Sequence, residues 1–473
     1  MRTPTPLLLT LVAAAVLSAC GGDDDPDPSA TAGTGGTSGS AGLGGSAGLG
    51  GSAGAAGTAG VAGRGFAAYP EVPYPAENPA TPEKALLGKV LFWEEQLGSD
   101  NSMACGTCHR PGAGGSDPRA SQASAIHPGQ DGLFGTEDDR RGAQGIKRCT
   151  DTAGVISYKA DATFGLNVQV TSRKPPTYLD AMFAADLFWD GRARSQFIDP
   201  DTSQVAIASG GGLESQAVGP PMNDAEMACE NRKWPSVHAK LATAQPLQFA
   251  RDIPTEMLNF IASYPTYPKM FGAAFGTEEI NTKRIAFAIA THERRLTSHQ
   301  TPWDRWNAGD DTAMTPAQVR GLELFMGAAK CHLCHAPPLF SDAGMAGVPV
   351  NAEFHNIGFF DEDPNFDNGR EKVTGDPAHR GAIKTPSLRN VGLREAGGLL
   401  HTGTGPGADL LAMMQAHKSP PFLDGPTVDP LMGSLDITDQ DISDINDFMR
   451  NALTDPRVKA ETTPFDRPKL GSE

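Results

Sequence analysis

Two Cys-x-x-Cys-His motifs lie far apart in this chain, at residues 105–109 and 331–335. In such a motif the two thiols can bond covalently to the vinyl groups of a haem, and the adjacent histidine is placed to bind the iron. The residues predicted to attach and ligate haem are Cys105, Cys108 and His109 in the first motif and Cys331, Cys334 and His335 in the second. The pattern predicts two covalently bound haem c groups and a protein that transfers electrons.

Zinc is the main alternative for paired Cys-x-x-Cys motifs, because four cysteines can form one tetrahedral site. Such a site would need ligands from two distant segments and would leave both trailing histidines unused. A redox-active dithiol would not require a histidine after its second cysteine either. Haem therefore explains more of each motif than zinc or a dithiol does.

The N-terminus indicates export. Arg2 precedes an apolar stretch, residues 7–17, that is short for a transmembrane span. The stretch ends in Leu-Ser-Ala-Cys20, which resembles a bacterial lipoprotein cleavage box. We expect residues 1–20 to be a signal peptide and Cys20 to carry a lipid on the periplasmic side, with the outer membrane favoured. The alternative is an ordinary secretory signal and an exported protein without an anchor.

Residues 21–65 are rich in Gly, Ala and Ser, so they predict a flexible linker without a core. The rest is long enough for two domains: 66–310 around the first haem and 311–473 around the second, with a C-terminal tail that can pack back on the first. The formal net charge of −17 argues against nucleic acid as a partner. The only expected membrane contact is the lipid anchor.

Cys149 and Cys229 are left over once the haem and lipid sites are assigned. In an oxidising compartment they can form a disulfide. Two unrelated buried thiols are the alternative, and the sequence spacing does not separate the two cases.

Similar segments precede the two haem motifs. Thr81-Pro82 begins the first and Thr315-Pro316 the second, and each segment continues to a Leu-Phe pair. Threonine followed by proline is typical of a helix N-cap and first turn. Thr438 predicts a third capped helix, with Ile442 on its apolar face. We therefore predict an all-α fold of two tandem cytochrome c-like haem domains with long loops.

Four further segments strengthen a family resemblance: residues 86–92, 188–193, 216–227 and 384–390. With the haem motifs between them, the chain resembles the bacterial di-haem cytochrome c peroxidases, which include the MauG-type enzymes. The resemblance implies reduction of H2O2 with electrons from a small c-type cytochrome or cupredoxin. It implies that electrons enter at the C-terminal haem and pass to the N-terminal, peroxidatic haem.

Two other functions remain open. One is a MauG-like di-haem oxidase that modifies Tyr or Trp of a partner protein. The other is a non-enzymatic electron-transfer cytochrome, which would need no distal acid.

The resemblance assigns roles near the peroxidatic haem. Glu226 corresponds to the distal carboxylate that moves a proton during O–O cleavage, and Gln216 to a distal amide. Trp189 corresponds to the tryptophan that relays electrons between the haems, with Asp190 and Arg192 as a supporting pair. Without the resemblance, Glu226 would be interpreted as a surface carboxylate and Trp189 as a core residue.

The sixth haem ligands are less directly encoded. In the family that the chain resembles, the sixth ligand of the C-terminal haem is Met, or Tyr in MauG-type members, on a helix after a His-x-Gly loop. Here the loop begins at His401, and the family's spacing implies His417 as the ligand, with Met413, one helical turn earlier, as the alternative. On the N-terminal haem, His127 is a candidate displaceable ligand, but its segment also reads as an ordinary turn. His355 has no evident partner and is interpreted as structural.

The resemblance also implies Ca²⁺ between the haems and a homodimer. The calcium ligand expected after Arg173 is replaced here by Lys174, whose ammonium could take the place of the cation. The acidic stretch 131–139 is another candidate Ca²⁺ site, although such loops are usually solvated. No interface signal for the dimer is visible in the sequence.

Overall fold

The computed structural model describes residues 64–345, 347–359, 367–423, 425–433 and 435–473. The predicted signal peptide, the lipidation site Cys20 and nearly all of the linker lie outside the described residues. The described residues belong to one compact unit.

Helices dominate the regular structure. In chain order they are α1 (Pro82–Phe92), α2 (Cys105–Cys108), α3 (Gly212–Ala217), α4 (Trp234–Thr243), α5 (Thr255–Ser263), α6 (Tyr267–Phe275), α7 (Thr282–Glu293), α8 (Pro302–Asn307), α9 (Pro316–Met326), α10 (Glu371–Thr374), α11 (Val391–Arg394), α12 (Leu410–Lys418), α13 (Asp439–Asp447) and α14 (Pro456–Lys459). Long loops with short 3₁₀ turns connect them.

Short antiparallel strand pairs add to the helices, which the all-α prediction did not include. The strands are β1 (Ile126–His127), β2 (Arg140–Arg141), β3 (Gln144–Lys147), β4 (Cys149–Thr152), β5 (Val155–Tyr158), β6 (Val168–Val170), β7 (Phe197–Ile198), β8 (Val205–Ile207), β9 (Phe354–His355) and β10 (Ile383–Lys384). They pair as β1–β2, β3–β6, β4–β5, β7–β8 and β9–β10. Strands of two to four residues are too short to show an alternating pattern in the sequence.

The three predicted helix starts are confirmed. The Thr81 hydroxyl accepts a hydrogen bond from the Lys84 amide at the start of α1. Thr315 and Thr438 each form a reciprocal capping box at the start of α9 and α13. Each cap satisfies backbone donors that the first helical turn leaves unpaired.

The two repeated helices, α1 and α9, each cross a partner at a glycine. A Cβ on Gly88 of α1 would lie 1.8 Å from the Ala288 carbonyl oxygen of α7. A Cβ on Gly321 of α9 would lie 2.2 Å from the Asp444 carbonyl oxygen of α13. Only glycine allows such close backbone contact. The sequence repeat therefore corresponds to the same type of helix crossing before each haem motif.

Two large hydrophobic cores follow the order of the chain. The first is built mainly from residues 87–296 and includes Val458, Phe465 and Leu470 of the C-terminal tail. The second is built from residues 303–453. The domain boundaries at 65/66 and 310/311 remain predictions.

The described residues include no helix that is both long and apolar enough to cross a membrane.

Candidate active site

Two cavities lie beside the two Cys-x-x-Cys-His motifs. The first includes Cys108 and His109 in its wall, and the second includes Cys331, Cys334 and His335. Including their open mouths, they enclose about 2180 Å³ and 1030 Å³ of empty space. The segment 384–386 lines both cavities, so the cavities are neighbours.

The first motif forms the short helix α2, and His109 is its C-cap residue. Its Gly106 packs on Trp93, since a Cβ there would lie 2.2 Å from the indole ring. The His109 Nδ1 lies 3.1 Å from the Gly115 carbonyl oxygen, so Nδ1–H donates and Nε2 keeps its lone pair for a metal. Burial lowers the pKa of His109, which favours the neutral, metal-binding imidazole.

The second motif repeats this arrangement. The His335 Nδ1 lies 3.1 Å from the Phe340 carbonyl oxygen. Burial lowers the pKa of His335 to about 4, so its Nε2 also has a free lone pair near neutral pH. Both predicted proximal histidines are therefore oriented by a backbone carbonyl a few residues downstream.

The cysteines fit two haems and do not fit one zinc ion. Cys105, Cys108, Cys331 and Cys334 are free of disulfide bonds. The two pairs flank separate cavities, so the structure does not assemble the four thiols that a shared zinc site requires. The second cavity offers a thiol pair and an imidazole, and the first offers Cys108 and His109, with Cys105 three residues before Cys108 on α2. Two thiols and an imidazole are the donor set for haem c.

Glu226 and Gln216 both line the first cavity, so the structure brings these two predicted distal residues together with His109. The Asn223 side-chain amide donates to Glu226 Oε1 at 2.8 Å. Burial raises the pKa of Glu226, and nearby Arg192 partly offsets that rise. A carboxyl group with a raised pKa beside a cavity is suited to proton transfer with a molecule bound there.

Trp189 lies at the boundary between the two cavities. It lines the first cavity, and its carbonyl oxygen accepts a hydrogen bond at 2.8 Å from the amide of Lys384, a residue that lines both. Its indole Nε1 donates to the Lys174 carbonyl oxygen at 2.7 Å. The indole is 7% exposed, so its orientation is fixed by packing as well as by this hydrogen bond. Asp190 and Arg192 form the expected pair, 3.1 Å apart.

His417 and Met413 both line the second cavity, on α12. The His417 Nδ1 lies 2.8 Å from the Met413 carbonyl oxygen, so Nδ1–H donates and Nε2 is left free. The ring of His417 packs edge-on against Phe359, at 4.7 Å between ring centroids. The structure therefore brings both candidate sixth ligands to the cavity that holds His335.

His127 does not lie with the other predicted site residues. It belongs to β1, opposite Arg140 of β2, and its ring is 5.9 Å from that of Phe164. The lining of the first cavity includes His109 and Glu226 but not His127.

Lys174 is buried and lines the first cavity. Its Nζ donates to Ser116 Oγ at 2.7 Å, and its amide donates to the His401 carbonyl oxygen at 2.8 Å. Burial lowers the pKa of Lys174 to about 7.

In the acidic loop, Asp138 and Asp139 accept hydrogen bonds from backbone amides of the same loop. These carboxylates therefore stabilise their own turns.

Cys149 and Cys229 form a disulfide. It joins β4 to the loop that carries Glu226, three residues before Cys229. The same loop is held by two further hydrogen bonds, from the Ile146 amide to the Glu226 carbonyl oxygen at 3.0 Å and from the Glu230 amide to the Cys149 carbonyl oxygen at 2.9 Å. The bridge therefore anchors the segment that presents the distal carboxylate.

Two functional candidates were missed by the sequence reasoning. Glu293 is 3% exposed and lines the first cavity, and its Oε2 has no hydrogen-bond partner among the described residues. Burial raises the pKa of Glu293 to about 8. Nothing in the local sequence distinguishes it from an ordinary helical glutamate.

His355 lines the second cavity and lies between two carboxylates. Its Nε2 is 2.7 Å from Asp342 and its Nδ1 is 2.5 Å from Asp429. Although burial lowers it, the hydrogen bonds to both carboxylates raise the pKa of His355 to about 9. No partner of His355 was evident in the sequence, because Asp342 and Asp429 lie 13 and 74 positions away.

The chain is similar to known di-haem proteins. The family model for di-haem cytochrome c peroxidase matches residues 82–312. The methylamine utilization protein MauG of Methylorubrum extorquens is 30% identical over 335 residues, covering 70% of this chain and 68% of the relative. The cytochrome c551 peroxidase of Nitrosomonas europaea is 26% identical over 324 residues, covering 68% of this chain and 70% of the relative.

A crystal structure of a MauG-like protein associated with microbial copper homeostasis has a similar fold. Its TM-score is 0.56 at 21% identity, covering 84% of this chain and 96% of the other.

Proposed function

Since the chain belongs to the di-haem cytochrome c peroxidase family and is an oxidoreductase of the peroxidase class, we propose that it reduces H2O2 to water with electrons from a small c-type cytochrome or cupredoxin. The observation that carries the proposal is the first cavity, where His109, Glu226 and Gln216 meet. A pure electron carrier has no need for an acid–base group at this position.

Cys105, Cys108 and His109 would hold a haem c group, which would supply redox-active iron for peroxide reduction. Glu226 accepts a proton from the inner peroxide oxygen and returns it to the outer oxygen, which can then leave as water. Gln216 orients the peroxide by hydrogen bonding, and Asn223 holds the Glu226 carboxylate in place. Because His127 lies away from this cavity, we propose that peroxide reaches the site without displacing a histidine.

Electrons enter at the second cavity and pass through Trp189 to the first. Two features support this path: Trp189 contacts the segment that lines both cavities, and its indole is fixed by the Lys174 carbonyl. We propose His417 as the sixth ligand in the second cavity, since it keeps a free Nε2 there. Two imidazole ligands lower the haem potential relative to a His/Met pair.

Lys174 replaces the inter-haem cation in this proposal, so peroxide reduction should not require Ca²⁺. Its buried amine lies in the wall of the first cavity, is hydrogen-bonded to Ser116, and carries a positive charge below its pKa of about 7. We also propose that the protein is exported, carries a lipid anchor at Cys20, consists of two tandem cytochrome c-like domains and forms a homodimer.

A protein-modifying oxidase is the second candidate, favoured by the 30% identity to a MauG protein. The MauG-type enzymes use a tyrosine as the sixth ligand of the C-terminal haem. The last tyrosine of this chain is Tyr267, so α12 cannot supply one. This difference favours the peroxidase.

Replacing Glu226 tests the acid–base role. In the half-reduced holoprotein with H2O2 and a reduced c-type cytochrome, we expect Glu226→Gln to lower turnover by about 10²–10⁴-fold, the usual contribution of a proton-transfer group. Asp224→Asn is the matched control, because Asp224 lies in the same loop, is exposed and does not line the cavity. Equal rates in the two variants would rule out Glu226 as the proton shuttle.

A further inference from the structure

The half-buried Tyr69 and the buried Asp180 form a hydrogen-bonded pair at the edge of the first cavity. The Tyr69 hydroxyl donates to Asp180 Oδ1, which also accepts the Ser298 amide at 2.9 Å. Asp180 is 6% exposed and lines the cavity. Its second oxygen, Oδ2, has no hydrogen-bond partner in the described part of the chain. Asp180 therefore has a free position for a proton.

Neighbouring residues connect the pair with both predicted proximal histidines. Two residues before Asp180, the ring of Tyr178 packs against His109 at 5.6 Å between centroids. On the other side, the Arg389 guanidinium lies 5.1 Å from the Tyr69 ring and 5.8 Å from that of Phe340. The Phe340 carbonyl accepts the hydrogen bond from His335.

We propose that Tyr69 is a redox-active tyrosine that supplies an electron to the peroxidatic site when no donor electron is available. The Tyr69 O–H bond breaks, its proton forms a new O–H bond on the Asp180 carboxylate, and its electron reduces the oxidising equivalent that peroxide leaves at the first cavity. A neutral tyrosyl radical remains. The inference rests on the proposed peroxidase function, because peroxide is the oxidant.

The electrostatics of the pair favour coupled loss of the proton and the electron. Burial, then the adjacent Asp180 carboxylate, raise the pKa of Tyr69 far above its usual value, so the phenol does not ionise by itself. Burial also raises the pKa of Asp180, which makes it a better proton acceptor. A positioned acceptor within hydrogen-bonding reach is the requirement for such a transfer.

A second tyrosine–carboxylate pair, Tyr267 and Glu94, lacks the free proton-accepting position that Asp180 offers to Tyr69. The Tyr267 hydroxyl donates to Glu94, but Glu94 also accepts hydrogen bonds from the Gln96 amide, the Gln96 side chain and the Leu247 amide. Glu94 does not line the first cavity. Its carboxylate is occupied by donors, so it is a poor site for another proton. Tyr267 is therefore the matched control.

Tyr178 is nearer to His109, but the described residues show no hydrogen bond of its hydroxyl. Without a proton acceptor, its oxidation is less favourable than that of Tyr69.

The test is freeze-quench electron paramagnetic resonance of the holoprotein mixed with H2O2 and no electron donor. Peroxide consumption is measured in the same samples. Ring-deuterated tyrosine should narrow the radical signal of the wild type. We expect Tyr69→Phe to abolish the tyrosyl signal and Tyr267→Phe to retain it, while both variants keep their haem content and melting temperature. Asp180→Asn, which keeps the phenol but removes the acceptor, should also lose the signal.

Each outcome separates this inference from the peroxidase proposal. Peroxide consumption with a tyrosyl signal that depends on Tyr69 supports both. Peroxide consumption with an unchanged signal in Tyr69→Phe, or with no tyrosyl signal in the wild type, overturns the role of Tyr69 alone. Failure of the wild-type holoprotein to consume peroxide overturns the proposed function and the role of Tyr69 with it.

Discussion

At the scale of single residues, the two predicted proximal histidines are oriented by the same type of hydrogen bond. His109 and His335 each use Nδ1–H to contact a backbone carbonyl, which leaves Nε2 for iron. The Cys-x-x-Cys-His motif identifies which histidine binds the iron. The orienting hydrogen bond depends on the loop that follows, and it could not be read from the motif.

The sixth ligand of the second haem can be tested by two variants on α12. We expect His417→Ala in the holoprotein to convert the second haem from a low-spin to a high-spin absorption spectrum, because the imidazole ligand is lost. Met413→Leu, one turn earlier on the same helix, should leave the spectrum unchanged. The reverse pattern would identify Met413 as the ligand.

Glu293 makes stability depend on pH. Its carboxyl stays protonated in the folded protein up to a pKa of about 8, whereas the unfolded chain loses that proton near the usual glutamate value of about 4.3. Its stabilising effect is fully present below the unfolded pKa and is lost as pH rises to about 8, with a slope of at most about 1.4 kcal/mol per pH unit.

Urea unfolding across this pH range checks the expectation. Glu293→Gln should lose less stability than the wild type between about pH 5 and about pH 8. Glu323→Gln, an exposed position on α9, should follow the wild type. Parallel pH profiles for the wild type and Glu293→Gln would show that Glu293 ionises normally.

The sequence could not predict the protonation of three buried or partly buried groups: Glu293, His355 and the Tyr69–Asp180 pair. Asp180 lies 111 positions from Tyr69, and Asp429 lies 74 from His355. Burial and distant partners set the protonation of these groups, and neither leaves a local sequence pattern. Glu226, Gln216 and Trp189 could be named only through the family resemblance.

At the scale of elements, the helices that begin with Thr-Pro were predictable because capping is local. Proline fits the first helical turn and threonine accepts its free amides, so Thr81 and Thr315 mark α1 and α9. The hairpin β4–β5 and the other short strands were missed, because backbone pairing at this length depends on tertiary contacts.

The disulfide should stabilise the element that carries Glu226. It closes a loop of 80 residues, and removing such a cross-link typically costs about 2–4 kcal/mol. We expect the Cys149→Ser/Cys229→Ser double variant to unfold at lower urea concentration and to turn over peroxide more slowly, because the Glu226 loop loses an anchor. Unchanged unfolding and unchanged turnover would show that the surrounding hydrogen bonds suffice.

At the scale of the whole molecule, buried arginines connect the predicted first haem domain, residues 66–310, with the predicted second, residues 311–473. Arg370 and Asp186 form a fully buried ion pair at 2.8 Å, and Arg389 donates to the Ser298 carbonyl oxygen at 2.6 Å. Removing one partner of the Arg370–Asp186 pair would leave an uncompensated buried charge, so this pair should hold the two segments together. The sequence predicted two haem regions, but it did not reveal these contacts or the shared segment 384–386.

The most direct test of the peroxidase function is its electron stoichiometry. Half-reduced holoprotein is mixed with limiting H2O2 and excess reduced small c-type cytochrome, and both peroxide and donor are followed. Because reduction of one H2O2 to two waters consumes two electrons and two protons, two cytochrome molecules should be oxidised for each peroxide. Loss of peroxide while the cytochrome stays reduced would contradict the proposed function.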